Sequence, residues 1–157
     1  MPHQAPQALA VRVKKLHPVW DEYPLEPATA HSAGVDLRAC LSEEWLDIPP
    51  GGRAAIPAGL AVEPDTDQVA GFVFSRSGLG ARDGLTVAQG VGVIDPDYRG
   101  EIVVWLLNTS TETRRVTRGE RVAQLVFLPV ARPVFQFVDE LADSARGGGG
   151  FGHTGSL

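Results

Sequence analysis

Five short stretches of this chain hold residue types that packing alone does not require. Residues 32–39, SAGVDLRA, alternate an acid, Asp36, and a base, Arg38, with small and apolar neighbours. Alone this reads as an amphipathic strand with one solvated face. Residues 75–80, SRSGLG, set Arg76 and Ser77 before Gly78. Free N–H groups at a helix start, a hydroxyl and a guanidinium together form a phosphate cradle. The spacing is not the glycine–lysine–threonine pattern of a nucleotide-hydrolase loop, and a capped helix with a surface arginine would read the same way. Residues 88–101, AQGVGVIDPDYRGE, place a turn signal, Asp95-Pro96-Asp97, between two apolar runs. This predicts a hairpin whose glycines let the backbone approach a ligand, with Asp95 and Asp97 as candidates for activating water. Residues 118–125, RGERVAQL, set Gln124 among apolar neighbours, where its amide needs a partner. Finally, residues 144–157, SARGGGGFGHTGSL, contain six glycines, one arginine and one phenylalanine. No core can be built from them. A ring, an arginine and a Gly-His-Thr-Gly run on a supple backbone can fold over a flat base and its phosphates, although a glycine-rich end is also the usual form of a disordered terminus.

The elements that must carry these stretches read as strands. Leu9, Val11 and Val13 alternate, and further strands are predicted over 56–62, 69–74, 101–107 and 122–128. Residues 102–107 are apolar on both faces, which suits a strand buried between layers or covered by another subunit. The one helix predicted is short, over 77–82, with Ser75 or Ser77 as its cap. Many short strands punctuated by proline and glycine predict an all-β sandwich or barrel. The domains expected are a mobile arm over 1–8, a β-barrel over 9–143 and a flexible glycine-rich lid over 144–157.

Composition narrows the partners. Fourteen Lys and Arg against nineteen Asp and Glu give a net charge of −5 over 157 residues. Such a surface is unsuited to a nucleic-acid backbone but can still hold a small anion on a few arginines. With Cys40 as the single cysteine, an intrachain disulfide is impossible and a cysteine-based zinc site is not expected; Cys40 reads as a small core residue. There is no apolar run long enough for a membrane span, and MPHQAPQA does not read as a secretion signal. Cytoplasmic location is the expectation.

The segments SAGVDLRA, SRSGLG, GVIDPDYRGEI, RGERVAQL and RGGGGFGHTG, in this order, resemble those of the trimeric dUTP pyrophosphatases (dUTPases). The resemblance runs from about residue 11 to residue 155. It implies a jelly-roll-like β-barrel and a homotrimer with active sites at subunit interfaces, each closed by a neighbour's tail. It implies Mg²⁺-dependent hydrolysis of dUTP to dUMP and pyrophosphate, which limits uracil in DNA and supplies dUMP for thymidylate synthesis. By the same resemblance, Asp95 is the general base and Gln124 positions phosphate or water. Asp36 lies near the metal and acts through water. Arg76, Ser77 and Gly78 contact phosphates, and Tyr98 stacks under the deoxyribose and excludes a 2′-hydroxyl. Gly92, Val93 and Ile94 belong to the backbone expected to read uracil. In the tail, Arg146 with His153 and Thr154 matches a γ-phosphate clamp, Phe151 the ring over the base, and Gly152 lies between them. The chain departs from the common pattern in two places. Gln89 stands where many relatives carry an asparagine that touches the base, and Ser75 stands where proline often precedes the arginine. Two other readings compete: a dCTP deaminase of the same fold, which needs a glutamate aimed at the base, and a non-catalytic nucleotide sensor.

Overall fold

The computed structural model describes residues 9–144, 147 and 148. In chain order the elements are β1 (Val11–Lys15), α1 (Val19–Glu22), β2 (Val35–Arg38), β3 (Trp45–Ile48), β4 (Arg53–Pro57), β5 (Leu60–Pro64) and β6 (Val69–Ser75). A π-helical turn, Gly78–Arg82, follows. Next come β7 (Leu85–Val87), β8 (Gly92–Ile94), β9 (Val103–Asn108), β10 (Arg114–Thr117) and β11 (Arg121–Pro129). They form a jelly-roll-like β-barrel. Four strands join in the order β2-β11-β6-β8, three as β4-β9-β7, and β1-β5 and β10-β3 pair separately. Each of these pairings is antiparallel.

The alternation of strand residues places the core. On β9, Val104 and Leu106 are buried, whereas Val103 and Trp105 on the other face are 42% and 47% exposed. The doubly apolar run therefore has one face in the core and one open face on the single chain. Leu37, Ile56, Ala123 and Val116 bring β2, β4, β11 and β10 into the same interior. Cys40 joins them at 4% exposure, as its type suggests.

Three local expectations are corrected. The strand expected over 56–62 breaks at Ala58 and Gly59, where Gly59 takes φ +64°. A side chain there would collide with Cys40 Sγ and His17 Cβ at 2.6 and 2.7 Å, so glycine serves both backbone and packing. The helix near residue 77 is a π-helical turn with no side-chain cap. Ser75 Oγ instead accepts the Val87 N–H at 2.8 Å and ties β6 to β7. Third, Asp95-Pro96-Asp97 does form a turn, with Tyr98 N–H donating to Asp95 O at 3.0 Å. The strands flanking it do not pair as a hairpin, because β8 lies on β6 while β9 lies between β4 and β7. The turn passes the chain from one sheet to the other. Helix α1 was not foreseen. Pro18 enters it at φ −61°, and Trp20 is buried, with its indole N–H donating to Ala58 O at 2.7 Å.

The last strand ends at Pro129, and residues 131–144 continue without strand structure. Val134, Phe135, Phe137 and Leu141 are each at least 80% exposed there. Among the described residues no helix is long and apolar enough to cross a membrane.

Candidate active site

Strand β11 is the centre of a polar cluster because it pairs with β2 on one side and β6 on the other. Its register sets Gln124 opposite Asp36 of β2 and Phe74 of β6. Asp36, Gln124 and the residues just past β6 are thereby brought together from three of the five stretches. Arg76 Nε donates to Asp36 Oδ1 at 2.8 Å, and Arg121 Nη1 donates to Asp36 Oδ2 at 3.1 Å. Arg76 Nη1 also donates to Arg121 O at 3.2 Å. The side chains of Asp36 and Arg76 are 25% and 28% exposed, so the pair is partly shielded from water. Gln124 Nε2 donates to Ser75 O at 3.0 Å, and its carbonyl oxygen has no partner among the described residues. Ser77 and Gly78 lie exposed beside Arg76, and nothing stands within 4 Å of where a Gly78 Cβ would project. The cluster offers cationic and backbone donors around open space, the requirement of a phosphate site.

The second group is the turn after β8. Gly92, Val93 and Ile94 form that strand, in register with Val73, Phe72 and Gly71. Asp95 and Tyr98 are exposed and, with Val93, Ile94 and Val103, line a hollow of about 230 Å³. Tyr98 Oη donates to Glu101 O at 3.0 Å. A side chain on Gly100 would strike the Tyr98 ring, so glycine allows the ring to fold back on its own turn. Glu101 also borders the hollow, and its Oε1 accepts the Gly59 N–H at 2.8 Å. Gln89 is exposed between β7 and β8, and its Nε2 would touch a side chain placed on Gly92 at 3.4 Å. It borders a cavity of about 390 Å³ with Arg53, Ala88 and Trp105.

The two groups are not brought together within one chain. Ile94 pairs with Gly71 and Ala123 pairs with Ser75, so Asp95 is level with Ala70 near one end of β6 and Arg76 lies just past the other. Six residues at about 3.3 Å each separate their levels by about 20 Å. Of the remaining candidates, Arg146, Phe151, Gly152, His153 and Thr154 lie outside the described residues, as does the arm over 1–8. Sequence reasoning missed Arg121 as a partner of Asp36, and Arg99 and Glu63 beside the turn. Arg121 lies within a stretch that was singled out, but its charge gave no sign of a partner 85 residues away.

Among the described residues no three His, Cys, Asp or Glu side chains converge to hold a metal directly. The donor set fits a hard cation carried on a polyphosphate with most of its water retained. Asp36, beside the Gln124 amide and at the edge of the phosphate site, is the carboxylate that could reach such an ion through water.

Barrel and site together are those of an all-β enzyme that handles a phosphorylated ligand. The dUTPase family model matches residues 23–155. The chain is 48% identical to the deoxyuridine 5′-triphosphate nucleotidohydrolase of Psychromonas ingrahamii over 147 residues, covering 92% of this chain and 97% of that one. It is 49% identical to the Desulfitobacterium hafniense enzyme of the same name over 148 residues, covering 93% and 97%. The chain belongs to the dUTPase family. Its fold is similar to that of a Staphylococcus bacteriophage 80alpha dUTPase variant solved with dUpNHpp, at TM-score 0.82 and 24% identity over 94% of this chain and 99% of that one. A phage phi11 dUTPase variant described with a structural Mg(II) ion superposes at TM-score 0.74 and 21% identity, over 85% and 99%.

Proposed function

We propose that this dUTPase hydrolyses dUTP to dUMP and pyrophosphate with water activated by Asp95, at sites each completed by a second copy of the chain. The Asp95 carboxylate takes a proton from water as its oxygen attacks the α-phosphorus. The bond from that phosphorus to the bridging oxygen breaks, and pyrophosphate leaves. Arg76, Ser77 and Gly78 hold the phosphates, and Gln124 offers its carbonyl oxygen to water or substrate. Asp36 keeps Arg76 oriented through the 2.8 Å ion pair and would hold a cation through water. Mg²⁺ bound with the triphosphate would neutralise charge on the phosphates. Uracil is read by backbone groups between Gly92 and Tyr98, where a C=O facing N3–H and an N–H facing O4 reject cytosine. Tyr98 lies under the deoxyribose and blocks a 2′-hydroxyl. The tail closes the site through Arg146, Phe151, Gly152, His153 and Thr154, and Gln89 supports the base-binding strand.

The observation that carries the two-copy reading is the 20 Å or so between the levels of Asp95 and Arg76 on β6. One chain cannot present both to one triphosphate. The open Val103 and Trp105 face and the exposed apolar residues over 131–144 supply surface for association. A homotrimer, the cytoplasm and the role of Mg²⁺ belong to this proposal. Glu101 borders the hollow beside Tyr98, but its Oε1 is engaged by the Gly59 N–H at 2.8 Å, which favours this reading over deamination.

The test is product analysis with Mg²⁺ and, separately, dUTP, dCTP, dTTP and UTP. Conversion of dUTP alone to dUMP and pyrophosphate is expected. Ammonia from dCTP would overturn the reading. Asp95→Asn should lower turnover by about 10²-fold or more, and intact turnover would remove Asp95 as the base.

A further inference from the structure

Residues 95–101 cross from β8 towards β9 outside any strand, and at their end Ile102 is fastened beside Gly59, its N–H donating to Leu60 O and its O accepting the Ala58 N–H, both at 2.8 Å. One main-chain hydrogen bond, from Tyr98 N–H to Asp95 O, closes the turn itself. The carbonyls on its outer side are taken by Arg99. Its Nη1 donates to Pro96 O at 2.7 Å and to Tyr98 O at 3.1 Å. Nη2 of the same guanidinium donates to Glu63 Oε1 at 3.0 Å. Glu63 lies on β5 and is itself held by Arg12 of β1, from Nε to Oε2 at 3.1 Å. A planar fork thus spans the turn and fastens it to a different sheet of the barrel. The two carbonyls belong to Pro96 and Tyr98, the residues flanking Asp97, within the turn that presents Asp95 and Tyr98.

We propose that Arg99, anchored by Glu63, is a positioning residue that fixes the turn carrying Asp95 and Tyr98, and so sets both the rate and the rejection of a 2′-hydroxyl. The proposal rests on the dUTPase reading of that turn. Arg99 is 52% exposed and Glu63 33% exposed on their side chains. Ion pairs this exposed contribute little to global stability. A misplacement of about 1 Å at reacting groups can cost about 10²-fold in rate. The pair should therefore matter far more to catalysis than to folding.

The experiment compares wild type, Arg99→Gln and Glu63→Gln. Three quantities are measured: kcat and KM for dUTP and for UTP, the thermal midpoint, and amide hydrogen exchange. In Arg99→Gln we expect kcat on dUTP to fall by about 10- to 100-fold. The preference for dUTP over UTP should drop by about 10-fold, with the midpoint nearly unchanged. Glu63→Gln should shift both in the same direction by less, and it serves as the second variant if Arg99→Gln folds poorly. Exchange should quicken over 95–101 while β6 is unaffected. Unchanged exchange in the turn would overturn the proposal whatever the enzyme's activity. Unchanged discrimination in variants of an active wild type would overturn it while leaving the dUTPase reading intact. A wild type inactive on dUTP would sink that reading instead, and the exchange result would still decide whether Arg99 fixes the turn.

Discussion

Ser75 shows how much one hydroxyl can settle. Where relatives often carry proline, this chain has a side chain that accepts the Val87 N–H and a carbonyl that accepts the Gln124 amide. The residue thereby joins β6, β7 and β11 beside the Asp36–Arg76 cluster. Ser75→Ala would leave the partly buried Val87 N–H without its partner. That should cost about 1–3 kcal/mol, read by denaturant unfolding, with the dUTP-over-UTP preference retained. Legibility at this scale follows from chemistry that is local. Gln124 stood out because an amide among apolar residues demands a partner, and one is present. The joining of Asp36 to Arg121 was invisible, since the two meet only through strand register.

At the scale of elements, alternation and punctuation located the longer strands, among them those over 69–74 and 122–128, while β3, β7 and β10 were missed because runs of three or four residues carry too little periodicity. Other failures fell where a backbone device interrupts a pattern. Hydrophobicity runs on through Ala58 and Gly59, so nothing in periodicity marks the change of direction that φ +64° imposes. Asp-Pro-Asp announces a turn but not which strands its arms will join, since pairing is a long-range choice. Asn108 is the element-scale counterpart of a cap. It is fully buried at the end of β9, where its Nδ2 donates to Ile48 O at 2.8 Å and Glu112 O at 2.7 Å. Its Oδ1 accepts from the N–H and hydroxyl of Ser110 at 2.9 and 2.7 Å. Asn108→Ala removes all four and takes the amide donor from Ile48 O, while Glu112 O keeps the Ser110 hydroxyl at 3.0 Å, so a loss of about 2–4 kcal/mol is expected. Calorimetry that showed no change would mean water replaces the amide.

For the whole molecule, the distance along β6 between the Asp95 turn and the Arg76 cluster matters most. A site shared between copies can be repaired by mixing. Asp95→Asn and Arg76→Ala chains, each nearly inactive alone, should regain about a quarter of wild-type turnover when unfolded and refolded together in equal amounts, since half the donors of each group are intact. A mixture no better than its components would place the whole site within one chain. The sequence conveyed this arrangement only through family likeness, because no local pattern encodes which residues meet across an interface. A last consequence belongs to Cys40. The thiol lies beneath Gly59, where burial foremost, and then the negative charge of Glu101, push its pKa up to about 11. Its raised value adds stability below about pH 9 that fades as pH climbs through 11. A thiol held neutral and out of reach cannot meet an alkylating reagent until the barrel parts around it. The chain therefore carries its own stopwatch, and the pace at which the reagent captures Cys40 times how often the barrel opens.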